Sequence, residues 1–382
     1  MRVVFISKEL NQTGGSGVLA RMHLDSIKNA VGEENVCVMN LAVDLEPVRG
    51  KRYIAFGKYP SKLNRIKRHL EGNTYYFSNK IISDIVEYVI KNKIDVVFID
   101  DSYFGRLAKE LKNKCPEVRV LAFFHDVKAE LFKIWMKRAS NPINKWDLKI
   151  AMANERISVN CVDANILLNH AENELLKKYY NKEADYYLPV CVGKEDLKTD
   201  ESPYDSTGKK HILFVGTSYL PNKNAARWFS KEVLPKVREQ YDFWIVGKGL
   251  ECLRDDISDP DVHIIGFVDS LAQYYVYSDV VTAPLVDGGG MKIKTAEAFS
   301  YGKVFMGSSE SLHGYYDCLP ETLKNNMVFC CDSKDDYIEA LKKLSEGNIG
   351  KDKDALIKVY EEHYSPEAAD NMTKQILFDG KK

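Results

Sequence analysis

Short runs rich in Val, Ile and Phe recur along this chain, each followed by a longer stretch with apolar residues at helical spacing. That alternation is the pattern of parallel strands joined by crossover helices, and it admits little besides doubly wound α/β sheets. In the first half the predicted strands are 2–6, 35–40, 95–100, 119–124 and 164–169, with helices over 17–30, 78–92, 104–114, 146–159 and 171–180. Residues 193–210, GKEDLKTDESPYDSTGKK, break the texture: they are polar, contain Pro203, lack a period and read as an interdomain linker. A second series follows, with strands at 211–216, 242–247, 262–267, 279–285, 303–307 and 326–331. The expectation is an α/β chain of two doubly wound domains whose strand C-termini face a shared cleft, residues 1–192 and 211–364. A last helix over 365–382 is expected to cross back.

At 382 residues and 45% hydrophobic, the chain can bury two such cores. A formal net charge of −1 supplies no general pull toward nucleic acid, and no nucleic-acid partner is expected. The eight cysteines form neither C-x-x-C pairs nor a dense framework, so they read as thiols of a reducing compartment, with no zinc site. The opening MRVVFIS is too short for a signal peptide or a membrane span and reads as the first strand of a cytoplasmic protein.

The stretch PLVDGGGMKIKTAEAFSYGKVFMGSS, residues 284–309, carries the sharpest chemistry. A strand ends before it and a helix runs to a stop at Gly302, which puts Gly288, Gly289 and Gly290 in the turn at a helix N-terminus. Free N–H groups and the positive end of the helix dipole suit a phosphate, and bare glycines let it approach the backbone. At about 100° per residue, Lys294, Glu297 and Tyr301 share one stripe; Met291, Thr295, Ala298 and Gly302 share another. One cation a turn in and one carboxylate a turn deeper ask for a diphosphate bearing a ribose. The alternative is a turn needed only for chain reversal, with Lys294 and Glu297 as a surface pair.

Taken with ILFVGTSYLPNKNAARWFSKEVLPKVR (212–238), FWIVGKG (243–249), IIGFVDS (264–270) and HYSPEAADNMTKQIL (363–377), this stretch resembles the nucleotide-sugar half of retaining glycosyltransferases of the GT-B fold, family 4. The resemblance implies two Rossmann-like domains, the first binding the acceptor and the second the donor. It puts Glu297 at the family's donor-site glutamate and implies donor contacts at Gly216, Lys223, Asp287, Gly288, Gly289, Gly290 and Met291. Two positions depart from the family pattern. Gly289 stands where a first glutamate, holding sugar hydroxyls, commonly lies, so Asp287 or loop backbone substitutes or sugar selectivity differs. Thr217 stands where an arginine is common, and Lys223 matches the following lysine only with one extra loop residue.

In the first half, Gly14, Gly15 and Gly17 follow the first strand and resemble the family's N-terminal glycine loop; their G-G-x-G spacing is not a dinucleotide fingerprint. His125, with Asp126, falls at the C-terminal edge of a strand, where the family often has a histidine near the donor sugar; a lone histidine in such a turn is as readily structural. Asp163 also matches a family position, with a turn-forming role expected. Residues 49–69 hold eight Lys/Arg and no acidic residue, with Tyr53, Phe56 and Tyr59 among them. They read either as a solvated excursion or as a surface for an anionic membrane or a lipid-linked acceptor. Trp135 and Trp146, near basic residues in 128–149, offer a second such surface.

The resemblance implies retaining transfer from a UDP- or GDP-sugar to a hydroxyl of a glycan, glycolipid or protein acceptor, in cell-surface polysaccharide or glycoconjugate synthesis. His125, Lys294 and Glu297 are the expected catalytic residues, with no cofactor and no metal, the nucleotide sugar being a substrate. A non-catalytic glycosyltransferase-like partner subunit is the alternative, and a sugar-nucleotide epimerase a lesser one. The expected location is cytoplasmic, with peripheral contact at the inner membrane face.

Overall fold

The structure, a computed structural model, describes residues 1–12, 14–42, 46–57, 61–138, 141–204, 208–287 and 289–379, apart from the side chains at 130, 134 and 138. It divides into two compact units, residues 1–189 with 369–382, and residues 190–368.

The first unit is built on strands β1 (Val3–Ser7), β2 (Val36–Asn40), β3 (Val48–Arg49), β4 (Tyr53–Ala55), β5 (Val96–Ile99), β6 (Arg119–Phe124), β7 (Ala164–Leu167) and β8 (Tyr186–Tyr187). Their order is β3-β4-β2-β1-β5-β6-β7-β8, parallel except for the β3–β4 hairpin. β1, β2 and β5 are buried along their whole length, which is why their sequences read as unbroken apolar runs. Ser78 and Asn169 cap the helices Asn79–Lys91 and His170–Tyr180 through their side chains.

The second unit carries β9 (Lys210–Val215), β10 (Tyr241–Val246), β11 (Val262–Gly266), β12 (Val280–Ala283), β13 (Val304–Gly307) and β14 (Val328–Cys330), all parallel, in the order β11-β10-β9-β12-β13-β14. Each sheet reverses its strand order once, between β1 and β5 and between β9 and β12. Crevices at the C-terminal ends of an open α/β sheet form at such reversals, so these points are where ligand chemistry is to be sought. Beside the second of them Gly247 has φ +136, and a Cβ there would sit 1.7 Å from the Gly216 carbonyl oxygen, so the loops after β9 and β10 approach as closely as they do only over a glycine at 247.

Three sequence expectations differ from the structure. The chain enters the second unit between Pro189 and Val190, and the stretch expected as a linker packs on that unit instead of hanging free. Tyr204 is buried, stacks on His211 at 4.4 Å and donates to the Tyr274 carbonyl at 2.6 Å; the Glu195 carboxylate accepts from Ser270 Oγ at 2.6 Å. One aromatic anchor outweighs a polar composition. Second, residues 49–69 are not an irregular excursion: their described part supplies the end of β3, β4 and the helix Lys62–Leu70, while Tyr59 lies outside the described residues. Third, the helix Ala129–Arg138 lies in a stretch where no helix was expected, and the helix expected at 146–159 runs from Pro142 to Cys161, with Asn141 as its cap. The final helix, Pro366–Phe378, rejoins the first unit from Ala369, where Asp370 accepts from Asn29 Nδ2 at 3.0 Å and Arg119 donates to the Ile376 carbonyl.

Candidate functional site

Each strand-order reversal carries a cluster of polar side chains. In the second unit the helix Ile293–Ser300 has Lys292 as its N-cap residue, no side-chain cap and no acidic residue in its first turn. Its N-terminal amides are therefore left for another acceptor. Lys292 bends back: its Nζ donates to the carbonyls of Gly290 at 2.8 Å and Gly289 at 3.3 Å, and pairs with Glu310 at 2.7 Å. That brace fixes the glycine turn, where Gly290 holds φ +65. Gly289 and Asp287 are exposed, Met291 is buried, and Gly288 lies outside the described residues.

Lys294 is the unusual member. Its Nζ donates to Asn222 Oδ1 at 2.9 Å and lies 4.5 Å from the centre of the Phe214 ring, and among the described residues no carboxylate forms a direct ion pair with it. Burial disfavours its charge and brings its pKa down to about 7, with Glu297 acting against the shift and Lys292 with it. Asn222, from the first turn of the helix Leu220–Trp228, also donates to the Thr217 carbonyl at 3.1 Å. Lys223, the lysine chosen from the sequence, is partly exposed and makes no side-chain hydrogen bond or ion pair among the described residues; its neighbour Asn222 is what meets Lys294.

Glu297, on the same stripe as Lys294 and Tyr301, accepts a 2.7 Å hydrogen bond from Tyr275 Oη. Burial raises its pKa against the pull of Tyr275 and Lys294. Tyr275 stacks on Tyr301 at 5.1 Å, and Tyr301 donates to the Glu195 carbonyl at 2.9 Å. The Glu297 carboxylate is thus set by a wall built partly from the stretch expected as a linker. The second stripe behaves as its small residues suggested: Thr295 and Ala298 are buried, and Thr295 donates to the Ser311 carbonyl at 2.9 Å.

In the first unit the helix Gly15–Val31 begins directly at the glycine loop, with extended Gly14 as N-cap and again no side-chain cap or early acidic residue. A Cβ on Gly17 would lie 1.9 Å from the Gln12 carbonyl oxygen, so the loop can fold back only over a glycine. Gly14 and Gly15 are exposed. His125 follows β6 and is buried, with Nε2 3.3 Å from both Oδ1 and the backbone carbonyl of Asp100, which follows β5. Asp101 beside it pairs with Lys8 at 3.1 Å and Lys128 at 3.6 Å, and both lysines lie over the Tyr103 ring. Asp163, by contrast, accepts from the Val120 amide at 2.7 Å and pairs with Lys112 at 2.8 Å, at the start of β6 and β7 and away from the strand C-termini.

The sequence reading noted the Pro221–Asn222 loop without giving Asn222 a role, and it missed Tyr275, Ser7, His23 and the Asp100–Asp101 pair. For the aspartates a signal existed, since they close a predicted strand as His125 does.

Two doubly wound units in one chain, with the final helix returned to the first, constitute the GT-B fold. Solved glycosyltransferases share it along their length. The lipopolysaccharide outer core galactosyltransferase WaaB is 13% identical with a TM-score of 0.68, covering 99% of each chain. HepE of Anabaena, solved with UDP-glucose, is 10% identical with a TM-score of 0.64 over 99% of each. WaaG, a glycosyltransferase involved in lipopolysaccharide biosynthesis, is 15% identical with a TM-score of 0.64, over 99% of this chain and 100% of that one. Residues 209–346 match the family model described as Glycosyl transferases group 1. No curated protein sequence matches the chain.

Proposed function

We propose that the protein is a glycosyltransferase that moves a sugar from a UDP- or GDP-sugar to an acceptor hydroxyl with retention at the anomeric carbon, in the assembly of a cell-surface polysaccharide or glycoconjugate. The observation that carries this reading is Lys294: a cation in the first turn of a helix whose N-terminus has no side-chain cap, with no direct ion pair among the described residues. A departing nucleoside diphosphate brings the negative charge this arrangement lacks, and donors aimed at charge that develops during reaction are the largest single source of rate. In this reading Lys294 and the turn amides take the diphosphate, Glu297 accepts from the ribose hydroxyls, and Asp287 or loop backbone replaces the carboxylate absent at Gly289. Charge on the leaving group is met by lysine and backbone, so no metal is invoked. The family match over 209–346 and the UDP-glucose held by HepE support a nucleotide-sugar donor.

Contact with an anionic membrane belongs to the same reading, through the helix Lys62–Leu70. Leu63 and Leu70 are 80% and 74% exposed beside exposed Lys62 and Lys67. The basic run is weaker than its composition suggests, because Arg49 pairs with Asp84, Arg65 with Asp147, and Arg68 donates to the Tyr75 carbonyl. No helix among the described residues is long and apolar enough to cross a membrane. Co-sedimentation with vesicles containing anionic lipid, lost in Leu63→Asp/Leu70→Asp, tests this contact.

The central test is a thermal-shift screen of UDP, GDP and ADP on the wild type and Glu297→Ala. A ligand at 100 times its Kd stabilises the folded state by about 2.7 kcal/mol. One nucleotide is expected to raise Tm selectively, several-fold more weakly in the variant; a flat panel with well-folded protein favours the non-catalytic partner subunit.

A further inference from the structure

Asp100 sits at the reversal between β1 and β5 with both carboxylate oxygens engaged. Its Oδ2 accepts from Ser7 Oγ at 2.8 Å, and its Oδ1 faces His23 Nδ1 at 2.9 Å and His125 Nε2 at 3.3 Å. All four side chains are buried, and Phe123 packs edge-on against both imidazoles at 4.2 and 5.0 Å.

Hydrogen-bond capacity fixes the proton positions. A carboxylate oxygen and a carbonyl oxygen both only accept, so His125 Nε2, facing one of each, must carry hydrogen. His23 must likewise carry its hydrogen on Nδ1, while its Nε2 is buried with no hydrogen-bond partner. A second proton on that nitrogen would be a buried unsatisfied donor, so His23 is neutral. A buried carboxylate needs a counter-charge. Lys8 pairs with Glu9 and Asp101 and Lys128 with Asp101, neither of them with Asp100, and His23 is excluded; His125 is left.

We propose that Asp100 is a positioning residue that fixes the ring orientation and Nε2–H form of His125 and makes the imidazolium its counter-ion, leaving Nδ1 as the ring nitrogen that can address a ligand. The value of this arrangement to transfer rests on the reading of His125 as a site residue. The groups facing His125 are Asp100 and Asp101 from the end of β5, Lys128 from its own loop and His23 from the helix Gly15–Val31. Burial opposes a charge on the ring, and Asp100 outweighs it, so the His125 pKa is raised; for His23 burial prevails and the pKa is lowered.

The test is an NMR titration of ¹⁵N-histidine-labelled full-length protein, wild type and Asp100→Asn, with the pH profile of UDP release from UDP-glucose measured alongside. In the wild type the His125 ring is expected to titrate above the ordinary value of about 6.5 with Nε2 protonated throughout, while His23 stays in its neutral Nδ1–H form. Asp100→Asn is expected to lower the His125 titration by about one pH unit or more. The pH at which UDP release changes should move with it. Titration of wild-type His125 at or below the ordinary value overturns the proposal even where the variant fails to fold, and so does an unmoved titration in folded Asp100→Asn. If the ring behaves as expected but His125→Asn releases UDP unimpaired, the pairing stands and the assignment of His125 to transfer falls.

Discussion

The two strand-end clusters are built from similar residue types and solve the problem of buried charge in opposite ways. In the first unit the charges cancel internally: Lys8 and Lys128 meet Asp101 and Glu9, and Asp100 takes His125. In the second, Lys294 is met by an amide oxygen and an aromatic face, and Glu297 by a phenol. A cluster that balances itself is complete without a ligand and serves as a shaped wall. A cluster whose opposite charges, Lys294 and Glu297, act on each other without a direct ion pair leaves its cation open to an anion that binds there.

The comparison can be broken most decisively in the balanced cluster. Asp101→Asn takes from Lys128 its ion-pair partner and leaves Lys8 with Glu9 alone, and breaking a largely buried pair costs about 3–5 kcal/mol, so a large drop in the urea midpoint is expected. Lys294→Met should behave in the opposite way. The ligand-free protein keeps its Tm or gains, the nucleotide-induced shift disappears, and transfer falls by about 10²–10³-fold. A ligand-free protein that melts far below wild type would show that Lys294 has a structural role.

Protonation sharpens the contrast. With its pKa brought down to about 7, Lys294 is only partly charged at neutral pH, so nucleotide affinity should weaken as pH rises from 6.5 to 8.5. Binding should take up protons, read as a calorimetric heat that depends on the buffer's ionisation enthalpy. The sign for stability is reversed. Because the folded value lies below the unfolded 10.5, this group's cost is fully present below about 7 and is relieved as pH rises toward 10.5. The smallest expected effect is that of Tyr275→Phe, which removes one hydrogen bond to Glu297 and should weaken nucleotide binding by about three- to ten-fold, with little change in fold.

What was legible in the sequence follows from which interactions are local. The glycine turn and the Lys294–Glu297–Tyr301 stripe could be read because the helical period places them on one face. Asn222 and Tyr275 could not, since they arrive from 72 and 22 residues away on other elements. Distance in sequence also hid Asp84 and Asp147, which neutralise two arginines of the basic run, and it is why composition overstated that surface. The two series of strands were legible because continuous apolar runs mark strands buried on both faces. The junction near residue 190 was misplaced because one buried tyrosine carries little weight in a polar stretch. None of the eight cysteines is in a disulfide, and four of them are buried.

The return of the final helix bears on how the chain reaches its native state during synthesis. Arg119 waits for the carbonyl of Ile376, 257 residues later, and Tyr186 for Asp379. The first unit leaves the ribosome first with all eight strands of its sheet, but its last helix is made only after the second unit, so for a time it lacks that cover. A chain stopped at residue 365 would hold it in that state, exposed to proteases and chaperones, while the second unit, continuous from 190 to 368, loses almost nothing.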